Sequence, residues 1–304
     1  MAHVQVMTYT EQLSGSVSEA IAEAAPAHLA MDETPPPGIG FGIWTLIKMQ
    51  LLPVLVFIPA AIAGVALGNK DLVKHPLVML LGMLFAAGWI IRSYCRRNSI
   101  RIEELAGPLA VRPGLLLAMA TAVVGLLLIQ VPVCLWLLAR YPSLEPKLDF
   151  GVVQSPWAAF LLIVVFAPLA EEFIFRGILL QSFIPRYGRN GSVLLSAALF
   201  ALCHVFPVRF LGTMAGGMLL GWLAARMGSV WPGVWAHAFN NAIAFGFMIF
   251  AKEVTPPVAL QQLGGWAMAL PAAGAMILSL GIYGARRAMV PGPASRFSYL
   301  PRTG

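Results

Sequence analysis

Between residues 43 and 285 the chain is a succession of apolar runs separated by short segments that hold most of its Arg, Lys and Pro. Each run is about as long as the ~20 residues a helix needs to cross the hydrocarbon of a bilayer. In lipid every backbone N–H and C=O has to be satisfied within the chain, so such runs leave the helix as the only open-ended solution. Composition agrees, with 59% hydrophobic and 11% charged residues and a mean hydropathy of +0.80. A soluble domain is about half apolar and a quarter charged. The expected fold class is an all-α integral membrane protein, a bundle of about eight transmembrane helices around a buried polar active-site cavity. The expected spans are 43–67, 76–95, 114–138, 157–180, 192–207, 210–227, 231–250 and 264–285.

Eight spans place both termini on one side of the membrane. That side collects thirteen basic residues, Arg92, Arg96, Arg97, Arg101, Arg112, Arg176, Arg186, Arg189, Arg226, Arg286, Arg287, Arg296 and Arg302, against six on the other. The positive-inside rule makes the richer side cytoplasmic, and the plasma (inner) membrane is the expected location. The net charge of +7 is spread between apolar runs, an arrangement that suits lipid headgroups and excludes a nucleic-acid partner. Residues 1–40 carry five acids and no Lys or Arg and end in Pro35-Pro36-Pro37-Gly38, which reads as a mobile cytoplasmic tail and linker. No basic segment leads into an apolar one there, so a cleavable signal peptide is not expected. Residues 41–286 form the expected membrane domain, with its catalytic core at about 157–250, and 287–304 a cytoplasmic C-terminal tail. Cys95, Cys134 and Cys203 have no CxxC spacing and read as small buried hydrophobes. Gly212, Gly216, Gly217 and Gly221 form a small-residue stripe suited to close helix packing. Ser229 before Trp231-Pro232-Gly233 reads as a helix start with proline in the first turn and an interfacial aromatic anchor.

A charge near the bilayer centre costs roughly 2.5–3.5 kcal/mol on insertion scales, so an intramembrane ionisable residue has to be paired, hydrated or functional. Of thirteen acids only the adjacent Glu171 and Glu172 lie deep in an expected span, and Arg176 follows four residues after Glu172. Glu172 and Arg176 share a helix face and can pair, while Glu171 lies about 100° around the helix. Desolvation disfavours an unpaired carboxylate anion, which suits that group to take and return a proton. A buried ion pair that merely fixes helix orientation is the structural alternative, and it leaves the second acid unexplained. Of five histidines only His204 and His237 fall within spans; Phe200 precedes His204 by four residues, and Asn241 follows His237 by four. Bundled together, the fourth, fifth and seventh spans would enclose a watery cavity able to activate water.

Two chemistries fit that inventory. Two histidines and a glutamate with an open fourth position make a catalytic zinc set, for which Glu171, His204 and His237 are the candidates, although HExxH is absent. A carboxylate alone can serve as general base, with histidine orienting the water and His and Asn donating to the oxyanion. Serine catalysis fits less well, because Ser196 lacks a GxSxG-like context. A proton-coupled transporter would use similar residues, but no inverted repeat is visible.

Three ordered segments resemble the CPBP intramembrane protease family, which includes the type II CAAX prenyl endopeptidases and bacteriocin-processing or immunity-linked membrane proteins. They are Glu171-Glu172-Phe173-Ile174-Phe175-Arg176 for EExxxR, Phe200-Ala201-Leu202-Cys203-His204 for FxxxH, and His237-Ala238-Phe239-Asn240-Asn241 for a histidine followed by a polar residue four positions on. The resemblance covers about residues 157–250. It implies a helical membrane core open to the cytoplasm and cleavage of a membrane-associated protein or peptide. It further implies that Glu171 activates water, His204 helps hold it, and His237 with Asn241 stabilises the oxyanion, with Glu172 and Arg176 in support. Zinc dependence and metal-free glutamate chemistry both occur among descriptions of the family, as does non-proteolytic scaffolding.

Overall fold

The computed structural model describes residues 35–109, 111–144, 155–204, 207–250 and 255–289. Most of the expected N-terminal tail, to residue 34, and the C-terminal tail from residue 290 lie outside the described residues. Every regular element among the described residues is helical, as lipid requires. In chain order they are α1 (Ile39–Leu51), α2 (Val54–Ala66), α3 (Pro76–Arg97), α4 (Ile102–Ala106), α5 (Pro113–Arg140), α6 (Pro156–Cys203), α7 (Pro207–Met227), α8 (Trp231–Phe250), α9 (Pro256–Leu263) and α10 (Trp266–Ala288).

Six stretches among the described residues are long and apolar enough to cross a membrane: Ile39–Ala66, Pro76–Arg97, Pro113–Arg140, Pro156–Cys203, Trp231–Phe250 and Trp266–Ala288. The first joins α1 and α2 across Pro53. The fourth spans 48 residues, about 70 Å at 1.5 Å per residue, far more than one crossing. It holds the expected span 157–180 and residues 192–203 of the expected span 192–207, in two arms that meet at Gly188. The backbone there leaves the helical region (φ 66°, ψ 173°), a conformation that glycine adopts without steric cost. The second arm stops at Cys203, with His204 as its C-cap, so the fifth span is shorter than expected. The expected span 210–227 falls on α7, which is helical but is not among the six.

α6 is the core of the bundle. More than half of its most apolar stretch is buried, against 28% or less for the other five. All eight residues of Phe173–Leu180 are buried, and Phe173, Ile174, Phe175, Ile178 and Leu179 share one core cluster with Ile90 of α3, Leu105 of α4, Leu199 further along α6 and Val230 just before α8. Its winding is irregular. Leu161–Phe166 and Phe173–Leu180 are π-helical, and the α-helical turn Ala167–Glu172 between them carries the two glutamates. π-turns inside α-helices concentrate at functional sites.

α8 starts as its sequence suggests, with Pro232 in the first turn and the Trp231 N–H donating to Ser229 Oγ at 3.3 Å. The Trp231 ring stands edge-on to Phe173 at 5.9 Å. The cysteines are half-buried free thiols. Cys203 Sγ accepts from Gln50 Nε2 at 3.5 Å and Cys134 Sγ donates to the Val208 carbonyl at 3.7 Å, so neither is a simple apolar filler. α5 and α10 meet through glycines: a Cβ on Gly274 would lie 2.6 Å from the Gly125 carbonyl oxygen. This is small-residue packing outside the stripe in α7.

Candidate active site

Glu172 and Arg176 stand one turn apart on α6 with no solvent exposure, and Arg176 Nη1 donates to Glu172 Oε1 at 2.8 Å. Nη2 donates to the Gly217 carbonyl of α7 at 3.0 Å. The face of the guanidinium is covered by Phe200, whose ring centre lies 4.6 Å from Cζ, within the range of a cation–π contact. One arginine therefore links both arms of α6 to α7. Gly217 belongs to the stripe read as packing alone. It does pack, since a Cβ there would lie 3.1 Å from Ala197 Cα, but its carbonyl also serves the buried charge.

The same Glu172 Oε1 receives a second hydrogen bond, from His237 Nδ1 on α8 at 3.0 Å. An ionised carboxylate only accepts, so Nδ1 carries the proton and the tautomer is set by this network. His237 Nε2 is then directed toward Glu171 Oε2 at 3.7 Å, longer than a hydrogen bond and wide enough to ask for a bridging group. The two carboxylates are thus unlike. Glu172 is sealed and spent on two cationic or donor partners, whereas the Glu171 side chain is 22% exposed.

Glu172 packs directly against the backbone of α8 at Gly233, one turn before His237, because Gly233 has no side chain. A Cβ on Gly233 would lie 2.5 Å from Glu172 Oε2 and 3.2 Å from Cδ. Among the described residues Oε2 itself has no hydrogen-bond partner. Gly233→Ala is expected to push the carboxylate off His237 Nδ1 and, through misalignment, to lower activity about 10²-fold. Turnover of the variant, alongside its elution as a folded monodisperse species, checks this.

His204 and His237 face the same ring from different helices. Phe200 lies 4.7 Å from the His204 ring and 5.6 Å from the His237 ring, centre to centre, and 5.1 Å from Phe175. His204 Nδ1 donates to the Phe200 carbonyl at 2.8 Å, since a carbonyl only accepts, and this leaves Nε2 as an acceptor. Asn241, a turn beyond His237, donates from Nδ2 to the Ile163 carbonyl at 2.9 Å, and its Oδ1 accepts from Asn240 at 3.2 Å. Ser196 is buried with its hydroxyl donated to the Phe175 carbonyl at 2.9 Å, a fixed tie between the arms of α6.

The structure therefore brings Glu171, Glu172, Arg176 and His237 into one polar cluster, with His204 across the Phe200 ring and Asn241 on a backbone carbonyl. For zinc, Glu171, His204 and His237 would have to converge. Among the described residues no group of three or more His, Cys, Asp or Glu side chains is gathered to hold a metal ion, and the three candidates do not meet as folded. The bond from His237 Nδ1 to Glu172 leaves Nε2 as the one nitrogen of that ring able to ligate.

Sequence reading missed the Gly217 carbonyl, Gly233, the Ile163 carbonyl and the hub role of Phe200. The glycine stripe and the Pro232-Gly233 pair were visible signals, but of packing and of a helix start. No curated protein and no solved structure matches the chain. One family does match, over the segment that contains all of these side chains: residues 153–243 match type II CAAX prenyl endopeptidase Rce1-like.

Proposed function

We propose that this multi-pass membrane protein is an intramembrane endopeptidase in which Glu171 activates the hydrolytic water. The observation that carries the reading is the division between the two glutamates: Glu172 is buried on Arg176 and His237, while Glu171 is reachable and faces His237 Nε2. A water near Glu171 gives up its proton to that carboxylate as its oxygen attacks the peptide carbonyl carbon. His204 Nε2, free to accept, holds the water's other hydrogen. His237 already has a proton on Nδ1, so a second proton, on Nε2, makes it an imidazolium, and Arg176 and His237 together then balance the two carboxylates Glu171 and Glu172. In that form His237 donates to the oxyanion of the tetrahedral intermediate. Glu171 then returns its proton to the departing amine nitrogen as the C–N bond breaks.

The substrate class is a membrane-associated protein or peptide cut near its C-terminus or beside the membrane; the basic-residue bias supports cytoplasmic termini, and the membrane of this proposal is the plasma (inner) membrane. A zinc ion on Glu171, His204 and His237 is the competing chemistry. A scaffold without proteolysis is the competing function, favoured by the fact that the Glu172–Arg176–His237 network ties α6, α7 and α8 together whether or not bonds are cut.

The test is cleavage of prenylated and unprenylated C-terminal peptides, and of a tagged single-span protein, by the purified protein in liposomes. Products are read by mass spectrometry with and without chelator and zinc add-back. Chelator-resistant cleavage is expected. Cleavage lost to chelator and restored by zinc would replace the metal-free mechanism, and no cleavage of any substrate would favour the scaffold.

A further inference from the structure

We propose that Asn241 is a positioning residue: its side-chain amide supplies the hydrogen bond that Pro168 cannot, and so holds the winding of α6 that aims Glu171 and Glu172 at His237. The inference rests on the endopeptidase reading for its catalytic consequence but not for its structural one.

In the π-helical segment Leu161–Phe166 a carbonyl is served by the N–H five residues on, and accordingly the Ala167 N–H donates to the Leu162 carbonyl. The next carbonyl in the series, that of Ile163, would take the N–H of residue 168. Residue 168 is proline, which has none. A carbonyl left without a donor inside lipid is costly. Asn241 Nδ2 fills the gap at 2.9 Å. Its orientation is set from the other side, because Asn240 Nδ2 donates to Asn241 Oδ1 at 3.2 Å. The amide nitrogen therefore points at the carbonyl.

The position of this bond gives it leverage. Pro168 precedes Glu171 by three residues, so the π-turn lies directly upstream of both carboxylates. Converting one π-turn to α removes one residue from the winding and rotates everything beyond it by about 100°, given 3.6 residues per turn. Such a rotation takes Glu172 off His237 Nδ1 and Glu171 away from Nε2. The Asn241 bond lies between two other contacts of α6 with α8: His237 on Glu172, and the edge-to-face pair Phe160–Phe245 at 5.6 Å, packed with Ala159 and Val164. Three contacts along the two helices fix the register, and the middle one is the backbone tie.

The decisive variants are Asn241→Ala, Pro168→Ala and the pair. Alanine at 168 restores an N–H that can reach the Ile163 carbonyl, so it replaces the amide by a different atom in the same bond. Asn241→Ala is expected to lower turnover about 10²-fold and, in the inactive Glu171→Gln protein, to lower Tm by roughly 2–4 °C. Pro168→Ala in the same chain is expected to recover both. An unchanged Tm for Asn241→Ala in the inactive protein would overturn the proposal. So would a double variant that regains Tm without turnover, because Asn241 would then act on the substrate directly. Where Pro168→Ala does not fold, the Tm of Asn241→Ala decides alone. That arm needs no substrate, so a failure to observe any cleavage by the wild type leaves it interpretable.

Discussion

Glu171→Gln is expected to lower peptide-bond cleavage by about 10²–10⁴-fold, the range general acid–base groups contribute, while leaving the fold intact. Glutamine keeps the shape of the side chain and removes its ability to hold a proton taken from water. The fold is insensitive because Glu171 is partly exposed and faces His237 Nε2 at 3.7 Å, outside hydrogen-bond range. Cleavage is read by mass spectrometry of the products and folding by Tm, which should move by less than ~1 °C for a partly exposed side chain. The neighbouring change, Glu172→Gln, is expected to behave differently, since it removes the charge that pairs with the fully buried Arg176 and leaves a single neutral amide oxygen to accept from both Arg176 and His237. Turnover by Glu171→Gln close to that of the wild type would remove Glu171 from the mechanism, and the scaffold reading would then account better for the cluster.

That two adjacent glutamates differ so much was only partly legible in the sequence. The i, i+4 spacing of Glu172 and Arg176 carried their pairing, because a helix face is a property of spacing alone. The apolar runs carried the helical class and the approximate position of the spans for the same reason. His237 donating to Glu172 was not legible, since the two are 65 residues apart and meet only through the packing of α8 on α6. Gly233 shows the limit most clearly. Beside Pro232 it looks like helix-start chemistry, and nothing local says that the carboxylate of Glu172 will occupy the place of its missing Cβ. Asn241 shows it again, because the demand for its amide comes from Pro168 and the π-turn before it, and a π-turn leaves no signature in hydrophobic periodicity. The break at Gly188 turned two expected spans into arms of one long element without changing which residues are apolar.

Arg176→Met is the substitution expected to cost the most stability. Arg176 and Glu172 have no solvent exposure, and methionine would leave a buried carboxylate without its counter-charge, a loss of about 3–5 kcal/mol when one member of a buried pair is removed. It would also strip the Gly217 carbonyl of its donor and Phe200 of the cation over its ring. Arg176→Lys should recover only part of this, because a single ammonium cannot reproduce the fork that reaches Glu172 and Gly217 together. The informative variant is the double one, Glu172→Leu with Arg176→Met. Replacing both members of a buried pair with apolar groups of similar size is often neutral or stabilising, so its Tm should return toward that of the wild type. Its turnover should not return, because His237 Nδ1 then has no carboxylate to hold the ring in its orientation. Measuring Tm and turnover across wild type, Arg176→Met and the double variant therefore separates two roles of one network. Recovery of both in the double variant would mean that the buried pair only holds helices together, and that His237 works without it.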